Sequence, residues 1–430
     1  MTIKKILQLV SALVISLYSL LTISIPFANA ATDTCTWTDA SSTVGNLFSD
    51  SGNWNCTAGA VPDAIGGDTY NLVFPAAAGI DPVNDIQNLI VGNILFSGDL
   101  STYVNGYDIT SSGGANTNSV TVTGGISDTS TGQTNNIELG ITATGDQTFN
   151  AGPNTNLILG DGTDNIDIGS SNVTLGNVAL TSPITGSGSL IVNDSNYPAD
   201  VSGVDFISSS PGFTGNVSVN QGALFVDDAG ALSAASGVTV ANGATLKGNG
   251  GVSSATVQSG GTIAPGHSPG CISANNMTIN GTYAAQIGGT NACTDYDQLQ
   301  VSGTVDISNS TLQLTLVDGF TPSVGQTFTI INNTGSNPVT GTFSNLASEG
   351  STITINGNLF KVSYVGGDGN DVVLTVVSSA TAAPGVVAPK APATGLASLI
   401  TNSATSLFVT SAIALSLILI ARRLQQPRNN

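Results

Sequence analysis

Positive charge is almost missing from the long central part of this chain. Residues 31–394 hold all 27 Asp and Glu residues but only three lysines and no arginine, so the net charge of the segment is −24. Proteins that bind nucleic acids hold the phosphate backbone with Lys and Arg. The segment is therefore not expected to bind nucleic acid, and its acidity favours solubility.

Histidine and cysteine are scarce, which limits metal and catalytic chemistry. The single histidine, His267, lies in a Gly/Pro-rich stretch, and we interpret it as a turn residue and not as a catalytic base. A zinc site needs close ligand pairs such as C-x-x-C, which the sequence lacks. An oxidising compartment would allow disulfides. Of the three possible pairings we favour the two that each close a loop of about twenty residues, worth ~3 kcal/mol: Cys35–Cys56 and Cys271–Cys293.

Long stretches of the helix formers Glu, Lys and Leu are also missing. Short runs of Val, Ile, Leu, Phe and Thr occur instead, bounded by Gly, Asn and Asp, and such runs are typical of β-strands. Asn-Gly dipeptides mark tight turns between some of them. The sequence therefore predicts an all-β fold. The clearest strand segments are 71–74, 119–123, 156–159, 189–192, 311–316, 327–331 and 372–376.

A repeat of about twenty residues narrows this prediction. Three stretches between residues 217 and 263 each contain a short strand, a glycine and a second short strand, and the glycines are Gly222, Gly243 and Gly260. A unit of this size cannot bury its own apolar face, so it must stack on its copies. We expect a right-handed parallel β-helix with one unit per turn. A β-sandwich, which also has short strands at regular spacing, is the alternative.

The N-terminal 30 residues have the features of a secretory signal peptide. Lys4 and Lys5 precede an apolar run, and the small residues Ala28 and Ala30 form a cleavage site for signal peptidase. We expect cleavage after Ala30. An uncleaved N-terminal anchor is the alternative.

The C-terminal part predicts a membrane anchor. An Ala/Pro-rich linker over 378–395 precedes an apolar stretch from Leu396 to Ala421, and we assign 396–430 to a transmembrane helix with a basic tail. Arg422 and Arg423 directly follow the apolar stretch. Because basic residues beside a span stay in the cytoplasm, the bulk of the chain is expected on the outer face of the cell.

The central segment resembles the β-strand repeats of bacterial autotransporter passenger domains. The resemblance is carried by the stretch 213–270, which includes Gly222-Ala-Leu, Gly243-Ala-Thr-Leu and Gly260-Gly-Thr-Ile-Ala-Pro-Gly. Four later segments are similar to the last passenger segment of that family: 295–301, 319–322, 325–330 and 369–376. The resemblance implies a passenger-like β-helix over 101–377, preceded by a β cap region over 31–100. It indicates an architecture and not an activity.

The C-terminus is similar to the sorting signal of sortase substrates. Pro392, Thr394 and Gly395 match the family pattern Leu-Pro-x-Thr-Gly, with Ala391 at the position of Leu. An apolar span and arginines follow, as in that family. The resemblance implies that a sortase cuts the Thr394–Gly395 bond and joins Thr394 to cell-wall peptidoglycan. An uncut membrane anchor is the alternative.

Clusters of acidic residues are the only candidates for chemistry. Paired carboxylates can hydrolyse glycosides, but the strand-rich region 101–377 offers only Lys247 and Lys361 as bases. We interpret the clusters as turn carboxylates at the surface. They are Asp227 and Asp228; Asp161, Asp164 and Asp167; and Asp295 and Asp297.

The segment 366–374 fits the nonapeptide that binds calcium in β-rolls. One copy supplies only half a site, so we interpret Asp368 and Asp371 as turn residues and expect no cofactor, with calcium as the remaining possibility. The sequence therefore favours a non-enzymatic structural or adhesive protein anchored at a bacterial cell surface, whose ligand the sequence does not identify. A polysaccharide-degrading surface enzyme that uses Asp carboxylates is the alternative.

Overall fold

The computed structural model describes residues 32–40, 46–59, 61–64, 69–76, 81–99, 106–113, 116–132, 134–153, 155–195 and 203–380. These residues form 32 β-strands and a single turn of 3-10 helix, Ser51–Asn53. The all-β fold that the sequence predicts is confirmed. The two helices expected at the termini lie outside the described residues. Within the described ranges, no helix is both long and apolar enough to cross a membrane.

The first sixteen strands cover the N-terminal half of the described chain. They are β1 (Thr32–Trp37), β2 (Trp54–Cys56), β3 (Thr69–Pro75), β4 (Val83–Asn84), β5 (Leu89–Ser97), β6 (Asp108–Ser111), β7 (Val120–Asp128) and β8 (Thr134–Glu138). They continue with β9 (Ile141–Ala143), β10 (Gln147–Ala151), β11 (Asn156–Leu159), β12 (Ile166–Asp167), β13 (Val173–Gly176), β14 (Val178–Leu180), β15 (Ile184–Thr185) and β16 (Leu190–Asn193).

The other sixteen strands cover the remainder. They are β17 (Val204–Phe206), β18 (Asn216–Gln221), β19 (Ala223–Val226), β20 (Gly237–Val240), β21 (Thr245–Gly248), β22 (Gly251–Val257), β23 (Thr262–Pro265) and β24 (Cys271–Ile279). They end with β25 (Thr282–Ile287), β26 (Gln298–Val301), β27 (Val305–Asp306), β28 (Thr311–Leu316), β29 (Thr327–Asn333), β30 (Thr352–Ile355), β31 (Asn358–Gly366) and β32 (Asp371–Ser378). Each of the seven strand segments predicted above overlaps one of these strands.

The strands form two sheets that the chain visits in turn. The smaller sheet has 11 strands in the order β28-β25-β23-β21-β19-β17-β14-β11-β8-β6-β4, and every pairing in it is parallel. The larger sheet has 21 strands and contains both parallel and antiparallel pairs. Neighbouring strands of the smaller sheet are separated along the chain by strands of the larger sheet. Because the neighbours pair in parallel and in register, the apolar residues of successive strands stack in columns.

One column of buried apolar residues runs through the larger sheet. Each member is paired in parallel register with the next, and each is at most 2% exposed. We call each layer of strands in this stack a rung. Such close stacking removes almost all of the apolar surface of each rung from water. The column consists of Cys35, Leu72, Ile94, Ile126, Phe149, Leu175, Val192, Val219, Val240, Val257 and Ile279.

The three copies of the sequence repeat stack directly on each other. Val219, Val240 and Val257 are paired in register in the larger sheet, and Leu224, Leu246 and Ile263 are paired in the smaller one. The repeat glycines Gly222, Gly243 and Gly260 have φ values of 85°, 82° and 81°. These left-handed conformations turn the chain from one sheet to the other, which explains why glycine recurs at this position.

Antiparallel strands close both ends of the described unit. At the N-terminal end, β2 pairs with β1 in the antiparallel direction over a cluster of aromatic rings that includes Trp37, Phe48 and Trp54. At the C-terminal end, β29, β32, β31 and β30 pair antiparallel in this order. Since an open sheet edge invites pairing with other chains, these closures protect the stack.

Candidate functional site

Several residues with predicted roles lie outside the described residues. They are the cleavage-site residues Ala28 and Ala30, the sorting-motif residues Pro392, Thr394 and Gly395, and the membrane-stop residues Arg422 and Arg423. Their assignments remain predictions from sequence. The candidate residues within the described ranges can be compared with the geometry.

Both predicted disulfides are present. Cys35 is bonded to Cys56 with a Cα–Cα distance of 4.0 Å, and Cys271 is bonded to Cys293 with a Cα–Cα distance of 4.8 Å. The first links the antiparallel pair β1 and β2 at the N-terminal end. The second fixes the loop between β25 and β26 to the start of β24.

One group of potential metal ligands contains the first disulfide. Asp33 lies beside Cys35 and Cys56, with the three candidate ligand atoms within 4.8 Å of one another. The two sulfurs are bonded to each other, so neither is available as a thiolate. Asp33 Oδ1 accepts hydrogen bonds from Thr57 Oγ1 at 2.5 Å and Ala58 N at 2.9 Å. The group thus stabilises the N-terminal closure.

The calcium candidates lie in a hairpin turn. Asp368 lies in the connection between β31 and β32, and Asp371 is the first residue of β32, where it is paired with Gly366 in the antiparallel direction. Asp371 Oδ1 accepts a hydrogen bond from Asn333 N at 2.9 Å, and burial raises the pKa of Asp371. The calcium sites of β-rolls lie between successive copies of the repeat, whereas this segment turns back on itself.

A shallow cleft brings three carboxylates together. It is lined by Glu138, Asp161, Asp164 and small polar residues of β6 and the turn after it. Asp161 accepts hydrogen bonds from Thr163 N at 2.7 Å and Asp164 N at 3.0 Å. Asp164 accepts one from Asn116 N. The bonds to Asp161 lie within its own turn, so Asp161 acts as a turn residue, as predicted. Asp164 is only 3% exposed and binds a distant segment, so its prediction as a surface turn carboxylate is wrong.

Three other aspartates of the acidic clusters also hold turns. Asp167 accepts a hydrogen bond from Gly169 N at 2.9 Å, and Asp228 accepts one from Gly230 N at 2.7 Å. Asp295 accepts from Asn291 N at 3.0 Å within its own loop. Each bond joins residues two to four positions apart and stabilises a local turn.

His267 forms the most unusual polar contact. As predicted, it lies in a turn, which follows β23, but its Nε2 is 2.8 Å from Asp227 Oδ2, 40 residues earlier in the chain. Its ring also stacks on Phe225, with the centroids 5.1 Å apart and the planes at 12°. The hydrogen bond to Asp227 raises the pKa of His267, although partial burial opposes this. Sequence spacing gave no sign of this contact, because it depends on how distant strands stack.

Three further charged groups surround this pair. Asp205 shares a row of the smaller sheet with Phe225 and Lys247, and Lys247 Nζ lies 5.1 Å from the centroid of the Phe225 ring. Burial raises the pKa of Asp205 to about 7, and the nearby charge of Asp227 adds to this. Asp205 was not identified from sequence, since a single Asp in a strand carries no motif. The His267 cluster is our name for His267, Asp227, Phe225, Asp205, Lys247 and Asp297.

Asp297 is only 1% exposed and holds two distant segments, so its prediction as a surface turn carboxylate is wrong. Its carboxylate accepts hydrogen bonds from Gly270 N at 2.7 Å and Gln286 N at 2.8 Å. Burial raises the pKa of Asp297 to about 6, whereas these hydrogen bonds and the charge of Lys247 oppose the rise. The raised pKa values of Asp205 and Asp297 lie near neutral pH, and no residue of the cluster lines the cleft that contains Glu138.

Rows of threonine cover the outer side of the stacked strands. Thr239, Thr256 and Thr278 are paired in register in the larger sheet. A second row in the smaller sheet consists of Thr245, Thr262, Thr282 and Thr311. Neighbouring strands lie ~4.8 Å apart, so the hydroxyl groups form a regular polar surface.

Comparison with known proteins identifies no relative. No protein-family model matches the chain, and no curated protein sequence is significantly similar to it.

Proposed function

We propose that this protein is a non-enzymatic structural or adhesive protein that a bacterium displays on its surface on a right-handed parallel β-helix. The observation that carries the proposal is the in-register column of buried apolar residues from Cys35 to Ile279 in the larger sheet. A protein built of stacked rungs presents a long, rigid surface, and such surfaces are suited to binding and spacing.

The pairing pattern supports the β-helix over the sandwich. Immunoglobulin-type sandwiches are built from two antiparallel sheets, whereas all pairings of the smaller sheet are parallel. Parallel neighbours require a long crossover connection, and here each crossover passes through the larger sheet. Repeat architectures also need atypical terminal units. The aromatic cluster at one end and the antiparallel strands at the other fit this requirement.

The surface chemistry supports a display role. The outer rows of threonine, the scarcity of basic residues and the small number of exposed large apolar side chains make the described surface largely polar. Among the described residues only Ile207, Val324, Val365 and Val377 are large, apolar and exposed. Such a surface suits hydrogen bonding to polar ligands, such as glycans, better than apolar docking.

Attachment to the cell is proposed from the sequence alone. The signal peptide directs export through signal peptidase, and the C-terminal apolar stretch anchors the chain in the membrane. A sortase then transfers Thr394 to peptidoglycan, or the chain keeps its membrane anchor uncut. Ala391 stands where the family's recognition motif has leucine, and this difference affects whether a sortase cuts the chain or leaves the membrane anchor intact.

Cell fractionation combined with mass measurement of the mature chain tests the proposal. We expect a mature N-terminus at residue 31 and recovery in the wall or membrane fraction. A C-terminus at Thr394 that carries a wall fragment supports the sortase route, and an intact Asn430 in the membrane fraction supports the uncut anchor. Recovery of the whole chain in the cytoplasm, with Met1 or its neighbour at the N-terminus, contradicts surface display.

The enzymatic alternative is favoured by one feature, the cleft that contains Glu138, Asp161 and Asp164. Pairs of carboxylates hydrolyse glycosidic bonds when one is protonated and both remain free to contact the sugar. Burial raises the pKa of Asp164, but hydrogen bonds within the turn occupy Asp161. We therefore expect no release of reducing ends from a panel of bacterial and plant polysaccharides. Release that is lost in Glu138→Gln but not in Glu349→Gln supports the enzyme.

A further inference from the structure

The turn 265–270 folds back over earlier strands instead of following the direct path to β24. Gly266 N donates a hydrogen bond to Gly248 O at 2.7 Å, and Gly266 has a φ of 77°. His267 then extends beyond β21 to Asp227, which follows β19. The turn therefore crosses the ends of two neighbouring strands of the smaller sheet.

Two carboxylates hold the turn from opposite sides. Asp227 binds His267 through Oδ2 and accepts a hydrogen bond from Asn249 N at 3.2 Å through Oδ1. Asp297 holds Gly270 N at the other end of the turn. Asn249 adds a third contact, because its Oδ1 accepts a hydrogen bond from Cys271 N at 3.1 Å. The described contacts that fasten this turn are thus largely polar.

The closed turn covers an aromatic side chain. Phe225 alternates along β19 with Leu224 and Val226, which belong to the apolar core. Phe225 itself is in register with the polar residues Asp205 and Lys247, yet only 5% of it is exposed. The ring of His267, the ammonium group of Lys247 and the backbone at Gly203 all lie close to this ring. His267 is itself 56% exposed, so it is accessible to protons.

We propose that the turn 265–270 is a proton-operated latch: the His267–Asp227 contact holds it closed over Phe225 in mildly acidic medium, and loss of the His267 proton loosens it. Opening would expose the Phe225 ring beside Lys247 and Asp205.

Asp205 and Asp297 act in the same direction as His267, whereas Lys247, whose pKa is lowered by burial, acts against them. The groups that face the pair are Asp205 from β17, Asp228 beside Asp227, Lys247 from β21 and Asp297 before β26. The pKa of His267 is raised by Asp227, and burial raises the pKa values of Asp205 and Asp297 to about 7 and about 6. Each of these three groups binds its proton more tightly in the closed form than in water. Closing therefore takes up protons.

The sign of the pH dependence follows from this proton uptake. The contribution of His267 is complete below about pH 6.5, the pKa of a hydrated histidine, and it is lost as the pH rises through its raised pKa. Asp205 and Asp297 add to the effect, because they ionise in the buried site as the pH rises through about 6 to 7. At that point Asp205 and Asp227 also repel each other. The latch is firm near pH 5 and weak near pH 8.

Hydrogen exchange of the full chain, corrected for the intrinsic pH dependence of amide exchange, tests the latch. We expect the protection of amides in residues 266–272 to fall severalfold between about pH 5.5 and pH 8, because the groups that hold the turn lose protons over this range. Protection in β10 and β13 is expected to stay constant. In His267→Gln, which can still donate a hydrogen bond, the pH dependence of this protection should become clearly smaller, because only Asp205 and Asp297 still titrate there. Equal protection of the wild-type turn at both pH values overturns the proposal.

A second measurement does not depend on exchange. The chain contains one histidine, so its ring gives a single NMR titration curve. We expect the His267 pKa to fall in Asp227→Asn and to stay unchanged in Asp146→Asn, a matched control whose carboxylate holds Asn172 N in another turn. A His267 pKa that is the same in the wild type and in folded Asp227→Asn contradicts the latch. If Asp227→Asn fails to fold, the His267→Gln exchange profile still decides.

Discussion

At the scale of single residues, two glycines of the same strand region differ in what surrounds them. Gly243 and Gly248 have φ values of 82° and 102°, both in the region that favours glycine. A Cβ on Gly243 would meet nothing within 4 Å, whereas a Cβ on Gly248 would collide with the backbone of Val226. Gly248 is therefore required by close packing between rungs as well as by its conformation.

Replacing each of these glycines by alanine separates the cost of the left-handed conformation from the cost of the steric collision. Gly243→Ala should lower the free energy of unfolding by about 1–2 kcal/mol, the cost of a left-handed alanine. Gly248→Ala should cost more, by at least about 1–3 kcal/mol of overpacking, because backbone atoms cannot move aside as a flexible side chain can. Denaturant melts of both variants measure the difference. Equal losses would show that the rung spacing at Gly248 is looser than the structure has it.

At the scale of elements, the second disulfide controls one loop. The bond Cys271–Cys293 fastens the connection between β25 and β26, and the hydrogen bonds of Asp295 order the same loop from inside. The loop also carries Asp297, which holds the turn of the His267 cluster. Loss of the bond is thus expected to loosen the loop first and the turn second.

Replacing Cys271 and Cys293 together by serine tests this order. Amide exchange in residues 288–297 should rise by more than tenfold, since closing such a loop is worth ~3 kcal/mol. Exchange in β18 and β20 should stay unchanged, because those strands are held by their own neighbours. The matched variant with Cys35 and Cys56 replaced should leave residues 288–297 as protected as in the wild type. A rise of similar size in both variants would contradict a local role.

The hairpin turn between β31 and β32 leads to a prediction on metal binding. Asp371 is engaged with Asn333 N, and the turn lacks the neighbouring copy that completes a β-roll site. We expect millimolar calcium or its removal by EDTA to leave the thermal midpoint unchanged within about 1 °C. A saturable rise that disappears in Asp368→Asn would show that calcium binds here after all.

At the scale of the whole molecule, the stack has an uneven distribution of spectroscopic probes. Both tryptophans, Trp37 and Trp54, lie in the aromatic cluster at the N-terminal end, with their ring centroids 5.0 Å apart. Tryptophan fluorescence therefore reports on this end alone, whereas far-ultraviolet circular dichroism reports on all strands. In a stack of rungs that contact only their neighbours, one end can unfold before the rest.

Because both tryptophans lie at the N-terminal end, removing the N-terminal disulfide tests whether that end unfolds on its own. In a variant with Cys35 and Cys56 replaced by serine, the fluorescence transition should move to lower denaturant, while most of the circular dichroism transition stays in place. A local loss of up to ~3 kcal/mol is expected, because the bond closes a loop of about twenty residues. Coincident shifts of both signals would indicate one cooperative unit and would argue against independent rungs.

Sequence patterns were sufficient to predict the all-β class, seven strands, the stacking of the repeat and both disulfides. These features depend on local patterns: apolar residues in short runs, a glycine at each corner of the repeat, and cysteines close enough to close small loops. The copies at Val219, Val240 and Val257 carry the same pattern, so their register followed from it.

The surroundings of His267 depend on the tertiary fold. Its partners Phe225 and Asp227 lie on and directly after β19, far from His267 in the chain, and their distance from His267 depends on the number of residues in each intervening crossover. That number varies along the chain, and a turn that folds back over two strands leaves no periodic signal. The pKa values of Asp205 and Asp297 likewise depend on burial by distant segments, which sequence spacing does not encode.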